Sequence, residues 1–309
     1  MRPLADWRLP AGLGGAVPVV AARSHRDGKI ETLTAGNWPD GAPVIEADRL
    51  YLASLAKQVT GAALALLFRD GAVEPDRAIG DYLTWLPAWT SVASVRQIAH
   101  HVASLPPAGV LEREVEGNWT EPAAFAALVQ AALPDAAAGE RFSYSNIGYI
   151  VLARLVAEIS GIPFDEFVNQ RVLAPLGIDE MGFASDVPSF PQVALMGTSL
   201  PLTHGDGGMW SSARAFARWL HLQNTDALGV AGIVQSPGML RDGTAVPYGW
   251  GIGLRTYRGT ELFIHGGEWT GCAAKAVRSP SLGIGVVAIA AGAPIELVNQ
   301  LVSDLLDDC

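Results

Sequence analysis

The 309-residue chain reads as an α+β protein in which one antiparallel sheet is assembled from both ends of the sequence and a mainly helical region is inserted between them. Three observations predict this. Strand patterning fills "VPVVAARSHRDGKIETLTAG" near the start and returns only from "YGWGIGLRTY" onward. Apolar residues at helical spacing dominate the interval, and the chain closes on one more amphipathic helix. Strands at both ends with helices between them imply a sheet shared by the termini and flanked by helices. That divides the chain into a discontinuous sheet domain, 1–72 and 225–309, and a helical domain, 73–224. The seam between two such domains is a common place for a pocket.

The elements follow in order. The first strand pair turns at Asp27-Gly28, a dipeptide suited to the positive φ of a tight hairpin. A helix is predicted from about Ser54 to Arg69, with Gly71 as its C-terminal cap. "EPAAFAALVQAAL" opens with Pro122 near a helix N-terminus. "NIGYIVLARLVAEISGIP" stops at Gly161, two residues before Pro163. "SARAFARWLHLQN" is capped by Ser211 or Ser212. Arg258-Gly259 separates "YGWGIGLRTY" from "ELFIHG" as a second hairpin, and "CAAKAV" and "GIGVVAIAAG" add two strands. Ile295, Val298, Leu301, Val302 and Leu305 mark the apolar stripe of the last helix.

Composition narrows the function classes. Half the chain is hydrophobic and 17% is charged, which opposes disorder. A balance of 31 acidic against 21 basic residues, without a basic cluster, argues against nucleic acid or an anionic membrane as partner. The longest apolar runs are too short to span a bilayer. The N-terminal "MRPLADWRLPAGLGG" shows no secretory pattern, and the cytoplasm is the expected location. Cys272 and Cys309 have no metal-ligand spacing, so neither a structural zinc nor a disulfide framework is expected.

Lysine occurs only at 29, 57 and 275. Lys57 stands inside the apolar run "YLASLAKQVTGAALALLF", three residues after Ser54 and so one helical turn along. Lysine, unlike arginine, can give up its proton when desolvated. The serine–lysine pair therefore reads either as a coupled nucleophile and base or as a lysine snorkelling from an amphipathic helix. Two further elements bear on the choice. Tyr144-Ser145-Asn146 lies where an irregular segment enters a helix, and His265-Gly266-Gly267 lies at a strand end. Each alone is consistent with a cap or a turn.

Taken together, in this order, they resemble the serine hydrolases related to class C β-lactamases, penicillin-binding D-peptidases and β-lactamase-like (family VIII) esterases. That family carries SxxK on its first long helix, YxN in its helical domain and KTG, HxG or WxG on a sheet strand. "DGAVEPDRAIGDYLTWLP", "DGGMWSSARAFARWL" and "YGWGIGL" extend the resemblance over nearly the whole chain. It implies a β-lactamase/transpeptidase-like fold and a serine hydrolase without cofactor or metal. Ser54 would be the nucleophile, with Lys57 and Tyr144 as one coupled unit that takes its proton. Asn146 would hold Lys57 or the substrate carbonyl. The backbone N–H groups of Ser54 and Glu268 would form the oxyanion hole, and Gly267 would let the strand come close enough. His265 replaces the lysine of KTG, which weakens the case for β-lactams and favours the esterase and D-aminopeptidase branches.

Smaller departures accompany these. "HHVASLP" is similar to the family's "HTSGLP", with Ala103-Ser104 in place of Ser-Gly and His101 read as structural. The family's helix before the first strand is expected to be short or lost. "HGDGGMWSS" is expected at the pocket rim, with Asp206 forming a turn. His204 has no nearby ligands to suggest a metal, and Cys272 is a small hydrophobe. The leading expectation is a Ser54 acyl-enzyme acting on carboxylic esters or small amides as small-molecule substrates. The alternatives are a D-aminopeptidase or D-amino-acid amidase that depends on Asp206 or Glu268, a weak β-lactamase, an acyltransferase, and a scaffold that binds without chemistry. Oligomeric state is left open.

Overall fold

The computed structural model describes residues 3–86, 88–105, 120–130, 137–184, 189–196 and 203–308. Pro106, Cys309 and the end of the "EPAAFAALVQAAL" segment lie outside them. After a short 3-10 turn at Leu4–Asp6, strands β1 (Val19–Ser24) and β2 (Ile30–Ala35) form the first hairpin. β3 (Leu50–Tyr51) leads into a 3-10 turn, Ala53–Ala56, and helix α1 (Lys57–Arg69). The helical stretch carries α2 (Val95–Ala99), α3 (Glu121–Gln130), α4 (Asn146–Ser160) and α5 (Phe164–Val168). β4 (Met181–Phe183), α6 (Val193–Met196), β5 (Met209–Ser211), α7 (Ala213–Asn224) and α8 (Ala231–Val234) follow. β6 (Gly238–Met239) and β7 (Ala245–Val246) make a small ribbon. The chain finishes with β8 (Gly253–Tyr257), β9 (Thr260–Trp269), β10 (Cys272–Ser279), β11 (Ile284–Ala290) and α9 (Ile295–Asp307).

The main sheet has the order β2-β1-β11-β10-β9-β8, all pairs antiparallel. Its centre joins the two ends of the chain, since β1 pairs with β11 from Val19–Ala290 to Ser24–Gly285. β1 is buried along its whole length because both faces of the sheet are covered. Val20 and Ala22 face the helical core, whereas Val19 and Ala21 face α9, as the two-residue period of a strand requires. Val298, Leu301, Val302 and Leu305 of α9 close that second face, each burial contributing about 1.5–3 kcal/mol.

The helices divide differently from the boundary predicted at 72 and 224. α1 packs against α4, α5 and α8, on the helical side. α7 lies across β1 and β11, so close that a Cβ at Gly285 would meet Leu220 Cβ at 2.6 Å. The cause is pattern: α1 is buried almost all round, while α7 buries Ala213, Phe216, Ala217 and Leu220 and turns Arg214 outward.

One edge of the sheet matters for the site. β8 pairs with β9 only from Tyr257–Thr260 to Gly253–Ile264. Residues 265–269 therefore extend beyond their β8 partner, and this stretch packs against the turn that carries Ser54. The HGG triplet was expected at a strand end. It lies inside a ten-residue strand, where glycine allows another segment to approach.

Candidate active site

Ser54 sits at the 3-10 turn that precedes α1, partly exposed while Ala53, Leu55 and Ala56 are buried. Ala53, just before the serine, holds a left-handed backbone (φ 45°), a costly conformation for a residue with a Cβ. Lys57 is fully buried one turn on. Its Nζ lies 2.9 Å from Ser54 Oγ, 2.8 Å from Asn146 Oδ1 and 2.7 Å from the Asp206 carbonyl oxygen. The latter two atoms can only accept, whereas a hydroxyl can accept or donate. The geometry therefore serves both states of the amine. An ammonium donates to all three. A neutral amine donates to the two carbonyls and turns its lone pair on the Ser54 O–H. The arrangement can thus receive the serine proton without moving a heavy atom.

The neighbours are held as firmly. Ser145 caps α4, its Oγ accepting from Gly148 N at 3.4 Å, and the cap sets Asn146 and Tyr144 on either side of it, both beside Lys57. The Tyr144 ring centre is 5.1 Å from Lys57 Nζ and that of Tyr149 is 5.7 Å away. Such rings favour a cation at Nζ.

The 203–208 loop, expected at the rim, is an inner wall. Asp206 is buried, its carbonyl receives Lys57, and its carboxylate accepts from Thr203 Oγ1 at 2.7 Å. Thr60 Oγ1 donates to Gly205 O at 2.8 Å, and Gly208 N donates to Tyr51 Oη at 3.1 Å. Side chains at Gly205 and Gly207 would overlap the Tyr149 carbonyl and the Tyr51 hydroxyl, so the glycines are what admit the loop. The Asp206 carbonyl is a backbone ligand that side-chain reasoning missed; the run of glycines around it was the available signal.

The strand wall is different in kind. A Cβ on Gly267 would lie 2.6 Å from Leu52 O, 3.1 Å from Ala53 Cβ and 3.2 Å from Ser54 N. The missing side chain therefore brings β9 against the amide of Ser54, beside which the Glu268 N–H follows in the chain. The Glu268 side chain is exposed. His265 is buried, with Nδ1 2.6 Å from the Gly266 carbonyl and Nε2 2.9 Å from Tyr248 Oη. Since a carbonyl only accepts, Nδ1 carries the proton and Tyr248 donates to Nε2. Burial, reinforced by the positive charge of Lys57, pushes the His265 pKa down to about 3, so the ring is neutral at pH 7. Lys275, opposite Gly266 on β10, shares the sheet face of Ala273 and Val277 and so points toward α9. Tyr248, a partner the sequence reading did not include, was signalled only by the "YGWG" around it. That segment is fixed by His100, whose Nδ1 donates to Tyr248 O (2.8 Å) and whose Nε2 accepts from Trp250 Nε1 (3.1 Å).

The structure thus gathers Ser54, Lys57, Tyr144 and Asn146 about one ammonium position and sets His265, Gly267 and Glu268 on the facing strand. Cys272 is buried, its Sγ 2.9 Å from Tyr51 O, with burial first among the causes that push its pKa up to about 12. His204 stacks among aromatic rings, 4.8 Å from Phe183. Among the described residues no group of three or more His, Cys, Asp or Glu is placed to hold a metal ion.

Comparison with known proteins gives a consistent picture. The family model described as Beta-lactamase matches residues 9–300. A D-aminopeptidase of Brucella anthropi is 26% identical over 283 residues, covering 84% of this chain and 52% of the relative. The chain thus spans about half the length of the curated relatives it matches first. The D-amino acid amidase from Ochrobactrum anthropi SV3 superposes with a TM-score of 0.79 at 22% identity, over 96% of both chains. A penicillin binding protein from Bacillus halodurans gives 0.79 at 20% identity, over 95% of this chain and 96% of its own. The β-lactamase/transpeptidase-like fold expected from the motifs is the observed one.

Proposed function

The chain belongs to the Beta-lactamase family, and from that premise we propose that it is a serine hydrolase working through a Ser54 acyl-enzyme on small amides of D-amino acids or the amino ends of short D-peptides. The observation that carries the chemistry is the buried Lys57 amine, bonded to two carbonyl oxygens and to Ser54 Oγ. Ser54 Oγ attacks the substrate carbonyl as its proton passes to Lys57. The oxyanion is held by the Ser54 and Glu268 N–H groups. The proton then moves, with Tyr144 close to the same amine, to the departing nitrogen. Water repeats the sequence on the acyl-enzyme and releases the acid.

Two features of the strand wall support the amide reading. The neutral His265 offers no cation to a substrate carboxylate, which suits an amide or an amino-terminal residue better than a free C-terminus or a β-lactam acid. Exposed Glu268 stands where a substrate ammonium would gain from a carboxylate, whereas the Asp206 carboxylate is turned to Thr203. The printed names of the D-aminopeptidase and D-amino acid amidase point the same way. Short carboxylic esters are the second reading, because the neutral His265 makes no demand for a charged group on the substrate.

The test is parallel turnover of D- and L-alanine p-nitroanilide, p-nitrophenyl acetate and nitrocefin, each with a Ser54→Ala control. D-selective amide cleavage that vanishes in the variant is the expected result. Ester turnover without amide turnover would replace the first reading by the second, and activity surviving in Ser54→Ala would defeat both.

A further inference from the structure

Beyond the groups that touch substrate in this reading lies a buried histidine to which the proposed chemistry gives no task. His101 is 2% exposed and follows α2, whose first turn is closed by a capping box of Ser94 and Gln97. Its backbone is left-handed, with φ 57°. That conformation turns both its carbonyl and its ring toward the segment containing Tyr144. The carbonyl accepts from Ser143 N at 2.7 Å, and Nδ1 accepts from Ser145 N at 3.2 Å. The two residues flanking Tyr144 are thus fastened to one residue. Between the two bonds the imidazole lies against the phenol, ring centres 4.3 Å apart and planes inclined by 39°. Tyr149 and Tyr248 pack on the same imidazole at 5.0 and 4.8 Å.

We propose that His101 is a positioning residue that clamps Tyr144 against Lys57, by bonds to the amides on either side of it and by stacking on its ring. The inference rests on the acyl-enzyme reading for its catalytic consequence, although the clamp itself does not depend on it. Its backbone acceptor and its ring acceptor both go to amides of one short segment, two residues apart with Tyr144 between them. Because Ser145 N–H occupies Nδ1, the ring proton must be on Nε2, which has no hydrogen-bond partner among the described residues. That buried N–H is left unpaired while Nδ1 serves the Tyr144 segment, an arrangement that costs stability. The clamp also requires a neutral ring, since a proton on Nδ1 would face the Ser145 N–H. Burial first, then the positive charge of Lys57, hold the His101 pKa well below its usual value.

Two substitutions separate the parts. In His101→Asn the Oδ1 atom falls where Nδ1 was, and asparagine tolerates left-handed backbone, so the amide clamp survives without the ring. In His101→Phe the ring survives without the acceptor. Two readouts are taken on each: amide hydrogen exchange over 142–147, and kcat, KM and the pH profile of Ser54-dependent turnover. For His101→Phe we expect faster exchange at Ser145, a kcat lowered about 10–100-fold by a misplaced phenol, and KM within about threefold. The pH profile should differ in shape from that of the wild type. For His101→Asn, exchange protection should return and kcat should lie within about tenfold of wild type. A folded His101→Phe protein with wild-type kcat, exchange and pH profile would overturn the proposal, as would a folded asparagine variant no better than phenylalanine. If the phenylalanine variant does not fold, the asparagine variant decides alone: retained protection and kcat support the clamp, and loss of both overturns it. Absence of Ser54-dependent turnover in wild type would instead defeat the functional reading, and exchange would still decide the clamp.

Discussion

On the helical side of the site three polar groups meet the Lys57 amine: a side-chain amide, a loop carbonyl and the Ser54 hydroxyl. On the strand wall the corresponding position is His265, whose nitrogens are committed to Gly266 and Tyr248 and which carries no charge at pH 7. The first wall is organised around a proton; the second offers shape, a close backbone and an exposed carboxylate at Glu268. The difference teaches where each property resides. In the proposed mechanism the capacity to form an acyl-enzyme falls to the helical side and would serve many acyl groups, whereas choice among them falls to the strand.

That division can be broken most severely at Lys57. Lys57→Met keeps the bulk but removes the proton acceptor, and kcat should fall about 10³-fold or more in steady-state turnover. The same change removes the donor that Lys57 gives to the Asn146 and Asp206 carbonyl oxygens, and urea unfolding should show a lowered stability. A Lys57→Met protein within tenfold of wild type would dissolve the distinction between the walls.

Acid tests the neutral histidines. His265 and His100 have folded pKa values pushed down to about 3 and about 4, in both cases chiefly by burial. Their unfolded values are near 6.5, so the unfolded chain binds more protons below that pH. The stability they contribute is complete above about pH 6.5 and is lost as pH falls toward the folded values. Urea unfolding at pH 4 should therefore show about 2–3 kcal/mol less stability per histidine than at pH 7, and His265→Gln should remove one such share. Turnover between pH 5 and 8 should show no limb assignable to His265.

Gly267→Val challenges the strand wall by its backbone. A Cβ 2.6 Å from Leu52 O must push β9 off the Ser54 turn, so the thermal midpoint should fall, and loss of the proposed oxyanion geometry should lower kcat of the protein that remains folded about 10²-fold. The smallest effect on turnover is expected from Tyr248→Phe, which leaves the buried His265 Nε2 without its donor and should cost about 1–3 kcal/mol of stability with kcat changed less than tenfold.

Much of this was legible in the sequence, for identifiable reasons. The hairpins were announced by Asp27-Gly28 and Arg258-Gly259, whose glycines take φ of 83° and 77°. The end of α4 was announced by Gly161, left-handed at φ 74°. Ser54, Lys57, Tyr144 and Asn146 are side chains in recognisable spacings, and the fold brings them together. What sequence did not disclose were groups without a side-chain signature. The Asp206 carbonyl on Lys57 is backbone, and the loop that delivers it looks like any glycine-rich turn. The short strands β3, β4 and β5 are too brief to show a period. His100 and His101 stand side by side in sequence, yet one secures the 248–250 loop and the other the 143–145 segment. Only the left-handed turn at His101 separates their directions.

The central claim is that Ser54 carries the acyl group. Wild type and Ser54→Ala are quenched in acid during turnover of p-nitrophenyl acetate and of D-alanine p-nitroanilide, and each is then digested and mapped by mass. The account requires one acyl group on the peptide containing Ser54 in wild type, with neither adduct nor turnover in the variant. An adduct on another residue, or product formed at an undiminished rate by Ser54→Ala, would contradict it.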